Sequence, residues 1–175
     1  PEEARRRLEA FTETYGNDPL SGLVLAYRGH LALRAGAAGE AESLFRKSLQ
    51  GFPGGQFQDD CRLGLARALE SLGNRDEAER YYLALAAKRN SRLAGEAQFR
   101  LGALYERGTG VEKDLERAKI WYRRAAEKGH PKAMHNLAVL LSSGDNPDML
   151  QAARWFREAA ERNLADSQYN LAMLN

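Results

Sequence analysis

Cysteine is nearly missing from this sequence: Cys61 stands alone among 175 residues, which excludes an internal disulfide and any cysteine-based metal cage. Its context, DDCRLGLARAL, is a helical pattern with no histidine nearby, so the thiol reads as small buried packing and not as a nucleophile. Without disulfides a reducing compartment is slightly favoured, although cytoplasm and periplasm both stay open. Net charge is also nearly absent. Lysine and arginine number 26 against 24 acidic residues, and the signs are interleaved, as in EARRRLE, GNRDEAER and EKDLERAK. A nucleic-acid partner, which would ask for a basic stripe, is disfavoured. No apolar run approaches the roughly 20 residues of a membrane span, and the leading PEEARRR lacks the apolar core of a signal peptide. Period-two alternation is missing as well, so no sheet is expected. Prolines are few: five, of which Pro19, Pro53, Pro131 and Pro147 fall between apolar-periodic runs and punctuate helices.

What is present is helical periodicity. A first helix over about residues 2–15 carries Leu8, Phe11 and Tyr15 on one stripe. Gly16-Asn17 stop it, and Asp18-Pro19 restart the chain with a capping carboxylate and a residue suited to the first turn. The second helix runs to about Leu33 before Gly36, and the third over about residues 39–49, with Ala41, Leu44, Phe45, Ser48 and Leu49 inward. After the looser GFPGGQFQDD, Asp59 or Asp60 caps a fourth helix carrying Leu65, Ala66, Leu69 and Leu72. A fifth over about residues 75–88 presents Ala78, Tyr82, Leu85 and Ala86, and Asn90-Ser91 cap a sixth. The small residue one turn into each second helix recurs after 37, 40 and 34 positions, at Ala41, Ala78, Ala118 and Ala152. Periods of this length with helix pairs mean a solenoid, because no single pair can close a core.

The first half resembles a tetratricopeptide repeat. Gly29, Gly36, Ala41, Phe45, Ser48 and Pro53 fall at that family's spacing, and Leu65, Ala66, Leu69, Gly73, Ala78, Tyr82 and Leu85 repeat it with Asn90 in place of the last proline. Small residues let helices approach, and the aromatic fills the gap between pairs. The second half is similar to Sel1-like repeats, carried by Ala97, Leu101, Gly102, Tyr105, Gly108, Gly110, Val111, Asp114, Ala118, Trp121, Tyr122, Ala125, Ala126, Gly129 and Ala133. The next unit repeats the pattern at Leu137, Ala138, Gly144, Asp148, Ala152, Trp155, Phe156, Ala159 and Ala160. Its turn is shorter: four residues from Gly144 to Asp148 against six from Gly108 to Asp114, with Asn146-Pro147 capping. From His135 onward the sequence is similar to the Sel1-like region of the alphaproteobacterial polar organelle development family.

These resemblances imply an all-α, right-handed α-solenoid of antiparallel helix pairs, about ten helices in all. Residues 1–90 form tetratricopeptide-like repeats with a leading helix, residues 91–175 Sel1-like repeats, and residues 91–107 a junction helix shared by both. The sharing is read as natural or as an engineered fusion of two repeat families. A third Sel1-like unit opens at Ser167 with Leu171 and Ala172, and the chain stops in mid-helix. That predicts a piece of something longer, with oligomerisation through the cut helix as one outcome.

No chemistry stands out. His130 and His135 are five apart, a poor spacing for one helix face, and no ligand set joins them or His30, so no metal or cofactor is expected. Gly108-Thr109-Gly110 lacks the strand and lysine of a phosphate loop. Trp121-Tyr122 and Trp155-Phe156, 34 residues apart, are the same core position in consecutive repeats and not a stacking platform. The chain reads as no enzyme. The resemblances imply instead a protein or peptide partner in a concave groove lined by first helices. Referred to the small positions Gly29, Ala66, Gly102 and Ala138, the exposed groove residues are expected to be His30 and Arg34, then Leu63, Arg67 and Glu70, then Phe99, Glu106 and Arg107, then Lys132 and His135.

Overall fold

The computed structural model describes residues 2–16, 18–53, 57–88, 91–108, 110–143, 146–162, 165 and 167. Among them run nine helices and no strand: α1 (Glu2–Thr14), α2 (Pro19–Arg34), α3 (Ala38–Gly51), α4 (Gln58–Ser71), α5 (Arg75–Ala86), α6 (Ala94–Arg107), α7 (Leu115–Glu127), α8 (Pro131–Ser142) and α9 (Met149–Glu161). The tenth expected helix, with Leu171 and Ala172, lies outside the described residues apart from its opening Ser167, as do Asn17, Asn90, Thr109 and Gly144. The chain divides into two compact units, Pro1–Tyr81 and Tyr82–Asn175.

Helix starts follow side-chain chemistry. Asp18 accepts the Leu20 amide at 2.8 Å with Pro19 in the first turn. Asp114 and Asp148, one 34-residue period apart, accept the amides of Arg117 and Gln151, each at 2.9 Å. Each satisfies an amide that the helix itself cannot. Three expected caps are corrected. Ser91 does not cap α6, which starts behind Leu93 with no side-chain cap; its Oγ accepts the Leu93 amide at 3.2 Å in the preceding turn. Asp148 caps α9 in place of Asn146-Pro147, because its carboxylate sits one residue before the first turn, as Asp114 does. Asp59 and Asp60 lie inside the first turn of α4 behind Phe57; there they favour the helix dipole and reach Arg62 and His30 instead.

Lengths differ by a residue or two where tertiary contacts intervene. α3 runs through Gly51 because Phe52, seated where Gly22 leaves no side chain, is held by Gln58 donating to its carbonyl at 2.9 Å. α5 ends at Ala86, whose carbonyl accepts from Gln98 at 3.3 Å. At the end of α6, Gly108 adopts φ 65°, and a Cβ there would stand 3.1 Å from the Lys113 backbone.

Within the first unit α2 pairs with α3, and α4 packs behind them. Phe45 of α3 is fully buried between two glycines: a Cβ at Gly29 would lie 2.8 Å from its ring, and one at Gly64 only 2.3 Å. Gly29, the small position of α2, and Gly64, two residues before the small position Ala66 of α4, are thus the two walls of one aromatic slot. Cys61, Leu65 and Leu69 complete the core, each buried leucine contributing about 1.5–3 kcal/mol. Ser48, fully buried, donates to the Gly22 carbonyl at 2.9 Å, and Leu49 is only half-buried. Charged ties join the second helices: Arg46 of α3 reaches both Glu77 oxygens of α5 at 2.9 Å and Glu42 at 3.0 Å, which raises its pKa, first through the Glu77 bonds. Arg28 binds Glu9 and Thr12 of α1, each at 3.0 Å.

The second unit repeats the plan. Tyr122 of α7 fills the slot opened by Gly102 of α6, whose Cβ would lie 2.5 Å from its ring, and packs with Ala125, Ala133, Met134 and Leu137. Phe156 of α9 does the same beside Ala138 and Ala152. The two tryptophans next to these aromatics are only half-buried. The core position of consecutive repeats is therefore Tyr122 and Phe156, while Trp121 lies at the core's edge with the Arg124 guanidinium 4.7 Å from its ring centre.

Candidate functional site

The residues expected on the face of the first helices divide into two groups once their surroundings are seen. Some are consumed by contacts within a helix pair or with the pair that follows. In the first unit His30 Nε2 meets Asp60 Oδ2 at 2.6 Å while its ring edges onto Phe45 at 4.9 Å. In the second unit Phe99 stacks on His130 at 4.5 Å and tilts against Tyr122 at 5.8 Å. Glu106 accepts the Tyr122 hydroxyl at 2.5 Å, and Asn136 donates to the same oxygen at 3.0 Å. His135 Nδ1 meets Ser167 Oγ at 2.8 Å and its ring edges onto Phe156. Leu63, expected to be exposed, is buried at 8%; it faces inward because α4 packs against both α2 and α3, leaving little of its circumference to solvent. Arg34, Arg107 and Lys132 are exposed, and Arg67 and Glu70 are half-buried.

Sequence reasoning missed three apolar side chains. Leu20, Leu23 and Tyr27 of α2 stand 57%, 49% and 55% exposed, at i, i+3 and i+7 on one face. The signal was available: PLSGLVLAYRGHLALR carries more apolar residues than one packing stripe needs, and a helix apolar on several faces must cover more than one of them.

Several buried or half-buried titratable groups are spent on structure. His130 caps α8, its Nδ1 accepting the Ala133 amide at 3.3 Å, so the ring proton sits on Nε2 and is donated to Glu96 at 2.9 Å. Neither nitrogen keeps a lone pair for a substrate proton. That bond, followed by Arg100 at 2.8 Å, holds the Glu96 carboxyl down at about 2 against the opposing effect of burial. Tyr122 is pushed far above the usual phenol range, first by burial and then by the Glu106 carboxylate. Burial likewise raises the Cys61 thiol, which touches Ser48 at 3.4 Å. An open depression of about 440 Å³ beside the start of α6 is lined by Arg92, Glu96, Lys128 and His130, and its acid and imidazole are the pair just described. Among the described residues no group of three or more His, Cys, Asp or Glu could hold a metal ion, and no helix is long and apolar enough to cross a membrane.

Comparison with known proteins places this geometry. Tetratricopeptide repeat models match residues 1–55 and 32–100, and the Sel1 repeat model matches residues 95–130 and 131–164. A protective antigen of uropathogenic Escherichia coli strains, displaying an SLR fold, is 25% identical with a TM-score of 0.69 over 87% of this chain. The chain spans 33% of that antigen. A Sel1 repeat protein from Oxalobacter formigenes is similar over 97% of this chain and 70% of its own, at 22% identity and a TM-score of 0.67. No curated protein matches the chain, and the likeness to the polar organelle development family rests on sequence pattern alone. Both repeat families are in general protein-interaction scaffolds and typically non-catalytic. With its helix pairs, its glycine-walled aromatic slots and these matches, the chain is an α-solenoid of the tetratricopeptide and Sel1-like class, bearing tetratricopeptide repeats over residues 1–100 and Sel1 repeats over residues 95–164.

Proposed function

We propose that the chain is a non-catalytic scaffold that presents the face of its first helices to a protein or peptide partner. The observation that carries this reading is the division of labour on that face. Its histidines, Phe99 and Glu106 are tied into the stack, whereas apolar and cationic side chains on the same helices are left toward solvent. Rigid helices offering exposed apolar and charged groups suit recognition, while the His130 imidazole, with no free lone pair, does not suit acid–base catalysis. Residues 1–90 and 91–175 are read as the two repeat types, with residues 91–107 as a helix serving both. This is supported by the overlap of the two family matches over residues 95–100, inside α6.

The test is affinity enrichment with the wild-type chain and with an Arg67→Glu/Arg107→Glu variant, followed by mass spectrometry and direct binding. A partner bound by the first and lost by the second is expected; unchanged affinity in the variant refutes the face assignment. The overlap within α6 also favours a second reading, an engineered fusion made for rigid geometry with no natural ligand. One natural protein matching both halves at high identity would eliminate it.

A further inference from the structure

Resting on the scaffold reading above, we infer that α2 docks antiparallel against α2 of a second copy of this chain, through Leu20, Leu23 and Tyr27. These three, with His30 and Arg34, follow one another at steps of 3, 4, 3 and 4 residues. That is the seam spacing with which one helix meets another, narrower than the stripe that packs a helix onto a core. The core stripe is already used: Ser21, Gly22, Ala26, Gly29 and Ala32 are buried on the opposite side of α2. Within the seam His30 is half-buried and bonded to Asp60, so the open part is the apolar run before it.

Charge selects the second copy and its direction. α2 holds no acidic residue, and among the described residues Arg34 is its one exposed charge. A parallel pair in register would set Arg34 against Arg34. An antiparallel pair instead layers Leu23 on Tyr27 of the other copy, twice, about a two-fold axis near Leu25. The two guanidiniums are then about 27 Å apart, well beyond a screening length. Each arrives at the level of the other copy's α1–α2 turn, where α1 ends with no basic residue in its last turn and with Glu13 exposed. A cation is favoured at such a carbonyl end. One surface thus supplies both halves of the contact, as a closed pair requires. Area sets the strength. Leu20, Leu23 and Tyr27 expose on the order of 300 Å² per copy. Two copies together cover about half of the smallest standard interface, so the dimer is weak, half-formed at on the order of 100 μM.

The experiment is sedimentation velocity on the full chain from about 5 μM to about 500 μM. The mass is expected to rise from one copy towards two across that range. Leu23→Glu, which places a charge in both central layers, should raise the dissociation constant at least about tenfold. Leu72→Glu, at an exposed leucine elsewhere in the first unit, should leave it unchanged. Copper–phenanthroline oxidation of a mixture of Leu23→Cys and Tyr27→Cys chains should give a disulfide-linked dimer, and Arg34→Cys alone should give none. Cys61, fully buried, does not compete. Circular dichroism confirms that these surface variants remain folded. If the chain stays monomeric at the highest concentration, this proposal fails, and the partner enrichment still decides the broader reading. If Leu72→Glu disperses the pair equally, or Arg34→Cys cross-links to itself, the α2 contact or its direction is overturned. An enriched partner that needs Leu23 while the chain alone is monomeric gives the seam to a foreign helix and also overturns it.

Discussion

Replacing Gly102 and Gly95 by alanine, separately, puts opposite signs on one substitution within one helix. At Gly102 the new Cβ would stand 2.5 Å, 2.6 Å and 3.0 Å from Cδ1, Cε1 and Cγ of Tyr122. That ring is fully buried, and its hydroxyl is held by Glu106 and Asn136, so it cannot retreat without breaking one of those bonds. Overpacking of this kind costs about 1–3 kcal/mol. A bond to a charged acceptor lost on relaxation adds about 1.5–3 kcal/mol. Against this, alanine gains about 1 kcal/mol over glycine in a helix interior. The balance is a loss of about 1.5–5 kcal/mol, which for a chain of this size lowers Tm by at least about 3 °C. At Gly95 the nearest atom is Lys128 Cβ at 3.5 Å, an ordinary contact, so only the backbone gain operates and alanine should stabilise by about 0.5 kcal/mol. Urea unfolding followed by circular dichroism at 222 nm, about where helical backbone absorbs, reads both. A Gly102→Ala chain as stable as the parent, or a Gly95→Ala chain that loses as much, refutes the slot argument.

Acid should act through Glu96. Its folded pKa of about 2 lies below the ordinary 4.5, so the stabilisation is complete above 4.5 and is lost as pH falls through 2. Stability of the second unit should drop by on the order of 1–3 kcal/mol across that window, and a Glu96→Gln chain whose pH profile overlaid the parent's would contradict the assignment. Asp114→Ala should cost about 1 kcal/mol, as should Asp148→Ala, since each removes the acceptor of a first-turn amide; unchanged urea midpoints would discount the caps. Cys61, fully buried and with a raised thiol pKa, should resist a thiol-reactive disulfide reagent until the chain is unfolded, and rapid labelling of the native chain would contradict its burial.

The helix pairs were legible because their determinants are local and periodic. Asp18-Pro19, Asp114, the glycines at helix ends and the recurrence of Ala41, Ala78, Ala118 and Ala152 carry their structural meaning within a few residues. Repeat type was legible for the same reason, since the aromatic after each small residue must find a glycine or alanine wall. The face of the first helices was less so. Whether Phe99 or His135 looks outward depends on residues one repeat away, His130 and Ser167, which no local pattern announces. Leu63 and Leu20 read alike as apolar helix residues. Only the packing of α4 against α2 and α3, and the open side of α2, separates the buried one from the exposed one.

The two imidazole–carboxylate bonds work as addresses. In the first unit the imidazole stands one residue after the small position of the earlier helix, at His30, and the acid on the later helix, at Asp60; in the second unit the earlier helix supplies the acid, Glu96, and the imidazole comes afterwards, at His130. The residue of α6 that corresponds to His30 is Ala103. A recombinant in which α4 were spliced to follow α6 would therefore leave Asp60 facing an alanine, and Glu96 with its His130 contact removed. These two repeats, though they share a backbone plan, are thus not interchangeable cassettes: α2 and α6 each meet the helix pair that follows through a polar pair that a foreign neighbour does not complete.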